Sequence, residues 1–180
     1  MTVTLTRVST SAHSHTRSIT FVAEALVRGV IKIAQEYGVC EKNWADRLEL
    51  LLRGPRTWLL MDQLKSVIVE IFCGDKLVNK YEFPIAVNAP SHDKESFQDH
   101  FDKIMEQVRR EAAKVKATHY RFLCDCKPGR VEVPGWSSAY FADDSHLKKR
   151  TIHDSVVRTN SVRVEATIYT QRDPGNGYVG

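Results

Sequence analysis

Cysteine is scarce in this chain, and its four residues, Cys40, Cys73, Cys124 and Cys126, fit free thiols in a reducing compartment. Only Cys124 and Cys126 lie close together. Their spacing puts both on one face of a strand, but a four-ligand zinc site needs two more ligands nearby. Core thiols are the favoured reading. His13 and His15 share that spacing and make no stronger case, so no metal and no cofactor are expected. An excess of one charge is also lacking. Twenty-six basic residues against 22 acidic ones leave +4, and the basic residues are scattered. The densest run, Lys148-Lys149-Arg150, reads as a solvated loop, and direct nucleic-acid binding is not expected. No apolar run approaches the ~18 residues of a membrane span. The N-terminal residues lack the apolar core of a signal peptide, so the expected location is cytoplasmic.

Catalytic signatures are missing as well. There is no phosphate loop, no Gly-x-Gly-x-x-Gly and no His-Glu-x-x-His. His153-Asp154-Ser155 holds three triad residue types, but a triad is assembled by geometry rather than by adjacency. Asp143-Asp144 reads as a solvated turn rather than a metal site. An enzyme of unknown type is the minor hypothesis, and the expectation is that the chain is not an enzyme.

With 42% apolar and 27% charged residues over 180 positions, the chain suits one globular domain. Residues 1–12 suggest a short edge strand or a loose tail. A long helix is expected over 14–37, with Ile19, Val22, Leu26, Val30, Ile33 and Tyr37 on one buried face. Gly29 inside it points to close packing by another element, and Gly38 is a natural C-cap. A second helix is expected from 43 or 44 to 53, broken by Gly54-Pro55, with a short helix resuming over 57–64. The β-branched density of 65–73 reads as a strand, and Gly74-Asp75 turns it into a partner over 77–87. Pro84 confines that partner to an edge or leaves an unbonded position in it. A third helix is expected over 93–116 and a strand over 118–126. In that strand Tyr120, Phe122, Cys124 and Cys126 face the helices. A short strand at 151–157 and a clear one at 161–169 follow.

The result is an α+β domain with helices on one face of a small antiparallel sheet. Two edges are left open, on 77–87 and 118–126. The terminal strand can cover one, and the other would accept an extended peptide. Directly after strand 118–126 comes the stretch Lys127-Pro128-Gly129-Arg130-Val131-Glu132-Val133-Pro134-Gly135-Trp136-Ser137, which ends the strand and turns the chain before an indole. The large aromatics Trp136, Tyr140 and Phe141 either find cover on the core or form a docking surface.

This stretch, the order of elements before it, and the Trp44 to Trp58 region with Asp46-Arg47 and Thr57-Trp58-Leu59 resemble the bacterial HORMA-domain proteins of cyclic-oligonucleotide (CBASS-type) anti-phage operons. The resemblance runs from about residue 15 to 170. It implies a HORMA core over 14–126, a flexible segment over 1–13, and a C-terminal safety belt with a terminal strand over 127–180. A closure-motif peptide would add to the edge formed by Tyr120, Arg121, Phe122, Leu123, Cys124, Asp125 and Cys126. The belt, to about residue 160, would carry Lys127, Pro128, Gly129, Arg130, Gly135, Trp136, Tyr140 and Phe141. The implied partners are the peptide, a cGAS/DncV-like nucleotidyltransferase that the closed form activates, and an AAA+ remodeling ATPase. A second HORMA protein is a further partner the resemblance admits. The remodeler would grip Thr2, Val3, Thr4, Leu5, Thr6 and Arg7. Residues 38–43 leave no room for the hairpin that eukaryotic members insert between the first two helices. A structural scaffold with the open edge buried in a homodimer is the alternative.

Overall fold

The computed structural model describes residues 4–88 and 96–171, with side chains from His15 onward apart from that of His153. Among the described residues three helices, α1 (Thr4–Glu36), α2 (Leu48–Leu60) and α3 (Asp102–Ala112), accompany six strands. The strands are β1 (Leu64–Cys73), β2 (Lys76–Val87), β3 (Phe97–Asp99), β4 (His119–Cys126), β5 (Leu147–Thr159) and β6 (Val162–Gln171). They form one antiparallel sheet in the order β3-β5-β6-β2-β1-β4. The main core lies between the helices and one face of the sheet. Among the described residues no helix is long and apolar enough to cross a membrane.

The apolar stripe of α1 is buried throughout, from Ile19 to Ile33, with Tyr37 just beyond its end. Its register brings Gly29 against the Phe101 ring, where an added Cβ would lie 2.2 Å from a ring carbon. Gly38 closes the helix at φ +68°, its N–H bonded to the Gln35 carbonyl and that of Val39 to Ala34. Gly29→Ala is therefore expected to lower stability by roughly 1–3 kcal/mol from overpacking. That exceeds the ~1 kcal/mol that alanine adds to helix propensity. A urea midpoint moving up instead would show that the ring can retreat. The helix also begins at Thr4, ten residues before its expected start and in place of an edge strand or loose tail.

Further expectations are corrected. The Gly54-Pro55 pair does not break α2, which runs through both residues, while 42–47 form turns rather than its first turn. Pro55 forfeits one backbone bond, but Leu52, Trp58 and Leu59 stay buried on a continuous face. Met61 is 53% exposed and Leu64 belongs to β1, so no short helix follows. The third helix is shorter than expected: Phe97 sits in β3, paired with Thr159 and ring-packed on Phe21, and residues 93–95 lie outside the described residues. Phe101, Ile104, Met105 and Val108 are buried on one side of this segment. Lys148, Lys149 and Arg150 are exposed on β5 rather than in a loop. There β5 pairs, among the described residues, with β6 alone, and a cationic edge discourages strand addition.

The hairpin of β1 and β2 turns at Gly74, φ +58°. β2 is interior, between β1 and β6, and its ladder to β6 skips Phe83 and Pro84. Of the two readings of Pro84, the unbonded position is the one realised. β6 covers β2, as expected of the terminal strand. Among the described residues β4 pairs with β1 alone, so its outer edge is open.

Candidate peptide-binding crevice

Alternation along β4 places Tyr120, Phe122, Cys124 and Cys126 against the helix-side core, as the sequence pattern predicts. No residue of β4 is fully buried, which suits a strand with one unpartnered side. Residues 127–146 form an irregular strap that leaves the end of β4, passes along its open edge, and reaches the opposite face of the sheet. The chain becomes regular again at Leu147, where β5 starts.

The near half of the strap is fixed to α2 by two indoles. Trp58 Nε1 donates to the Val131 carbonyl at 2.8 Å, and Trp136 Nε1 donates to the Leu50 carbonyl at 3.0 Å. The Trp136 ring meets Trp58 and Phe122 edge-on, each at 5.3 Å between centroids. Gly54 makes room for it, since a Cβ there would come within 2.5 Å of the indole. On the strap, Gly135 has φ +87° and lies against Leu50. Arg130 stacks over Trp58 at 4.9 Å, and Lys127 pairs with Asp62 at 2.8 Å.

The far half is fixed to the sheet by charge. Glu70, fully buried on β1, accepts hydrogen bonds from Arg121 Nε at 2.9 Å, from Arg121 Nη2, and from the Ala142 N–H at 2.9 Å. Arg121 Nη2 also donates to the Tyr140 carbonyl. Lys80 pairs with Asp144 at 2.7 Å and lies over the Tyr169 ring, and His146 Nε2 is bonded to the Leu77 carbonyl. A small apolar cluster of Phe72, Leu77, Leu147 and Tyr169 closes this end, with Ala142 packed on it. Between the two anchors, residues 137–140 bridge the β4 edge and are exposed.

Two adjoining cavities follow the edge beneath this bridge, of about 260 and about 310 Å³. They share Phe122, Leu123 and Trp136 in their walls. The first continues past Tyr120 to Trp44, Leu50 and Leu51, and the ion-paired Glu41 and Arg47 also line it. The second continues past Cys124, Asp125 and Cys126 to Lys127, Pro128, Gly129 and Arg130, with Phe141 on its far side. Gly135 lines the first.

The geometry thus brings most of the singled-out residues to one crevice, with two exceptions. Arg121 turns away to Glu70, and Tyr140, 93% exposed, stands outside. Of the three strap aromatics, Trp136 finds cover while Tyr140 and Phe141 remain exposed. Thr2 and Val3 lie outside the described residues, and Thr4 to Arg7 open α1. Sequence reasoning missed the crevice roles of Glu41, Arg47 and Leu50, and the anchors Glu70 and Lys80. A carboxylate centred in a β-branched strand was the one signal available for Glu70.

Burial pushes the Cys126 thiol up from its ordinary 9.0 to about 11, against the opposing pull of Arg130. Cys124 is held well above its usual range, first by burial and then by its neighbour Cys126. Thiolate is the reactive form, and at pH 8 the raised Cys126 thiol holds about 100-fold less of it than an ordinary one. Iodoacetamide should therefore label exposed Cys73 first and Cys124 and Cys126 last, the lag of Cys126 closing only as pH rises towards 11. Equal labelling of all three at pH 8 would contradict this packing. Among the described residues no three His, Cys, Asp or Glu side chains converge as metal ligands.

Structures of low sequence identity share this fold. The mitotic checkpoint complex contains a chain 10% identical, with TM-score 0.65 over 87% of this chain and 99% of that one. C. elegans HTP-2, solved bound to the HIM-3 closure motif, is 12% identical with TM-score 0.63, covering 87% and 91%. A chain in the E. coli MS115-1 CdnC:HORMA-deltaN complex is 9% identical with TM-score 0.52, covering 87% and 89%. No curated protein matches. The family model described as bacterial HORMA domain 2 matches residues 6–172, nearly the whole of the described chain, and this protein belongs to that family.

Proposed function

We propose that this chain is a peptide-sensing adaptor that closes its strap over an extended closure-motif peptide added to β4. In that form it binds and activates a cGAS/DncV-like nucleotidyltransferase in anti-phage defence. The observation that carries the reading is the unpartnered edge of β4 lying under a strap anchored on both sides. Main-chain pairing along such an edge gives affinity, and the two cavities give side-chain selectivity. The HTP-2 structure, which holds a closure motif, supports the first half of the reading, and the CdnC complex supports the second. The chain acts by binding and is not an enzyme.

The strap is continuous with the sheet at both ends, so peptide entry requires it to lift and close again. Moving the population from mostly open to mostly closed takes a preference of about 5.5 kcal/mol for the closed form. An AAA+ remodeler gripping residues 2–7 supplies the reverse step, in the cytoplasm. The test is selection of a random peptide library on the full chain. The selected peptide is then titrated in a mixture with the nucleotidyltransferase while cyclic-nucleotide synthesis is followed. Binding at micromolar or lower peptide, with synthesis rising in step, is the expected result. A folded, monomeric chain that selects no peptide would overturn the clamp, and binding without activation would overturn the second half.

A further inference from the structure

The two ends of the crevice differ in charge. At the Tyr120 end the walls include Trp44, Leu50, Leu51 and Trp136, and among the described residues the only charges lining it are Glu41 and Arg47, paired with each other. At the Cys126 end three charged residues line the walls, Asp125, Lys127 and Arg130. Lys127 is paired with Asp62, and Asp125 with Lys65 at 2.7 Å. Arg130 has no carboxylate partner among the described residues. Its contacts are the Trp58 ring and, at 3.3 Å, the Ser138 hydroxyl. A planar guanidinium held by stacking keeps free N–H groups in the fork geometry that suits a carboxylate.

We infer that this crevice selects a peptide with a large apolar side chain at the Tyr120 end and an Asp or Glu at the Arg130 end. The inference rests on the clamp reading and specifies its ligand. Helix-side positions of an added strand recur every second residue. The pair Cys124 and Cys126, beside Arg130, is offset by four positions from the pair Tyr120 and Phe122, so the two peptide residues should also be four apart. The partly enclosed setting and the existing stack favour Arg130 as the reader of charge. The apolar end supplies affinity by burial, which is insensitive to salt, whereas the acidic contact weakens as salt rises.

The experiment is selection from a random peptide library on the full chain, run in parallel on the wild type, Arg130→Gln and Arg130→Glu. Thermal melts establish that each is folded. Wild type should enrich an apolar residue with an acidic one four positions away. In the best peptide, changing the acid to its amide should weaken binding roughly tenfold for wild type and leave Arg130→Gln unaffected. Arg130→Glu should enrich Lys or Arg at the same position. Peptides enriched without an acidic position, or an equal amide penalty in Arg130→Gln, would overturn the charge assignment and leave the clamp standing. Failure of every version to enrich any peptide would overturn both.

Discussion

Trp136→Ala should release the near half of the strap and weaken closure-peptide binding about 100-fold. The indole makes the bond to the Leu50 carbonyl, packs edge-on against Trp58 and Phe122, and fills the space left by Gly54. Truncating a fully buried tryptophan costs about 3–5 kcal/mol. Trp136 is half-buried, so a loss of roughly 3 kcal/mol is expected. If the peptide is held only by the closed strap, that loss passes into affinity, and 1.4 kcal/mol is about a factor of ten. The core should survive, because Trp58, Leu59 and the sheet keep their mutual packing. Limited trypsin digestion checks the local effect: the variant should be cut after Arg130 under conditions where the wild type resists. A variant that resists trypsin and binds peptide normally would show that the strap does not depend on this anchor. Truncation after residue 127 cannot serve the same purpose. It would strip Val156, Val157, Val162, Val164 and Ile168 from the core.

Glu70→Ala should cost the whole protein more than any other single change to the far half of the strap. A buried carboxylate with three donors leaves all three unpaired when removed, and breaking a buried ion pair in that way costs about 3–5 kcal/mol. Arg121 is 37% exposed and turns to water once released, so a smaller loss, roughly 2–3 kcal/mol, is expected. Glu70→Gln keeps an acceptor for the Ala142 N–H and should recover part of the loss. Urea unfolding measures both variants. If Glu70→Ala left the midpoint unchanged, the carboxylate would not be holding the strap to the sheet. This anchor also sets a limit on mobility: Glu70 and Arg121 lie on adjacent strands, so their pair can persist when the strap lifts, and only the bonds to Ala142 and Tyr140 are given up.

Local periodicity made much of this fold legible. The α1 stripe, the tight contact at Gly29, the hairpin turning at Gly74 and the two faces of β4 all follow from spacing over a few residues. The failures share a different origin. Gly54-Pro55 reads as a break because the tryptophan that packs there comes from residue 136, more than 80 positions away. Phe97 reads as helical because its partner strand lies near residue 159. Lys148 to Arg150 look like a loop, since nothing local reveals that β6 runs alongside. The open edge of β4 and the strap stretch were visible as candidates. The Leu50 and Leu51 wall, the Glu70 anchor and the unequal charge of the crevice depend on long-range pairing, which no local pattern encodes.

The most direct test of the clamp is amide hydrogen exchange of the full chain with and without a selected peptide. Strand addition would slow exchange at the outward-facing amides of residues 119–126, and closure would slow it across 131–142, with little change in α1 or at the β2–β6 pairing. A peptide that binds tightly yet leaves β4 exchanging as before, with protection elsewhere, would contradict the central claim.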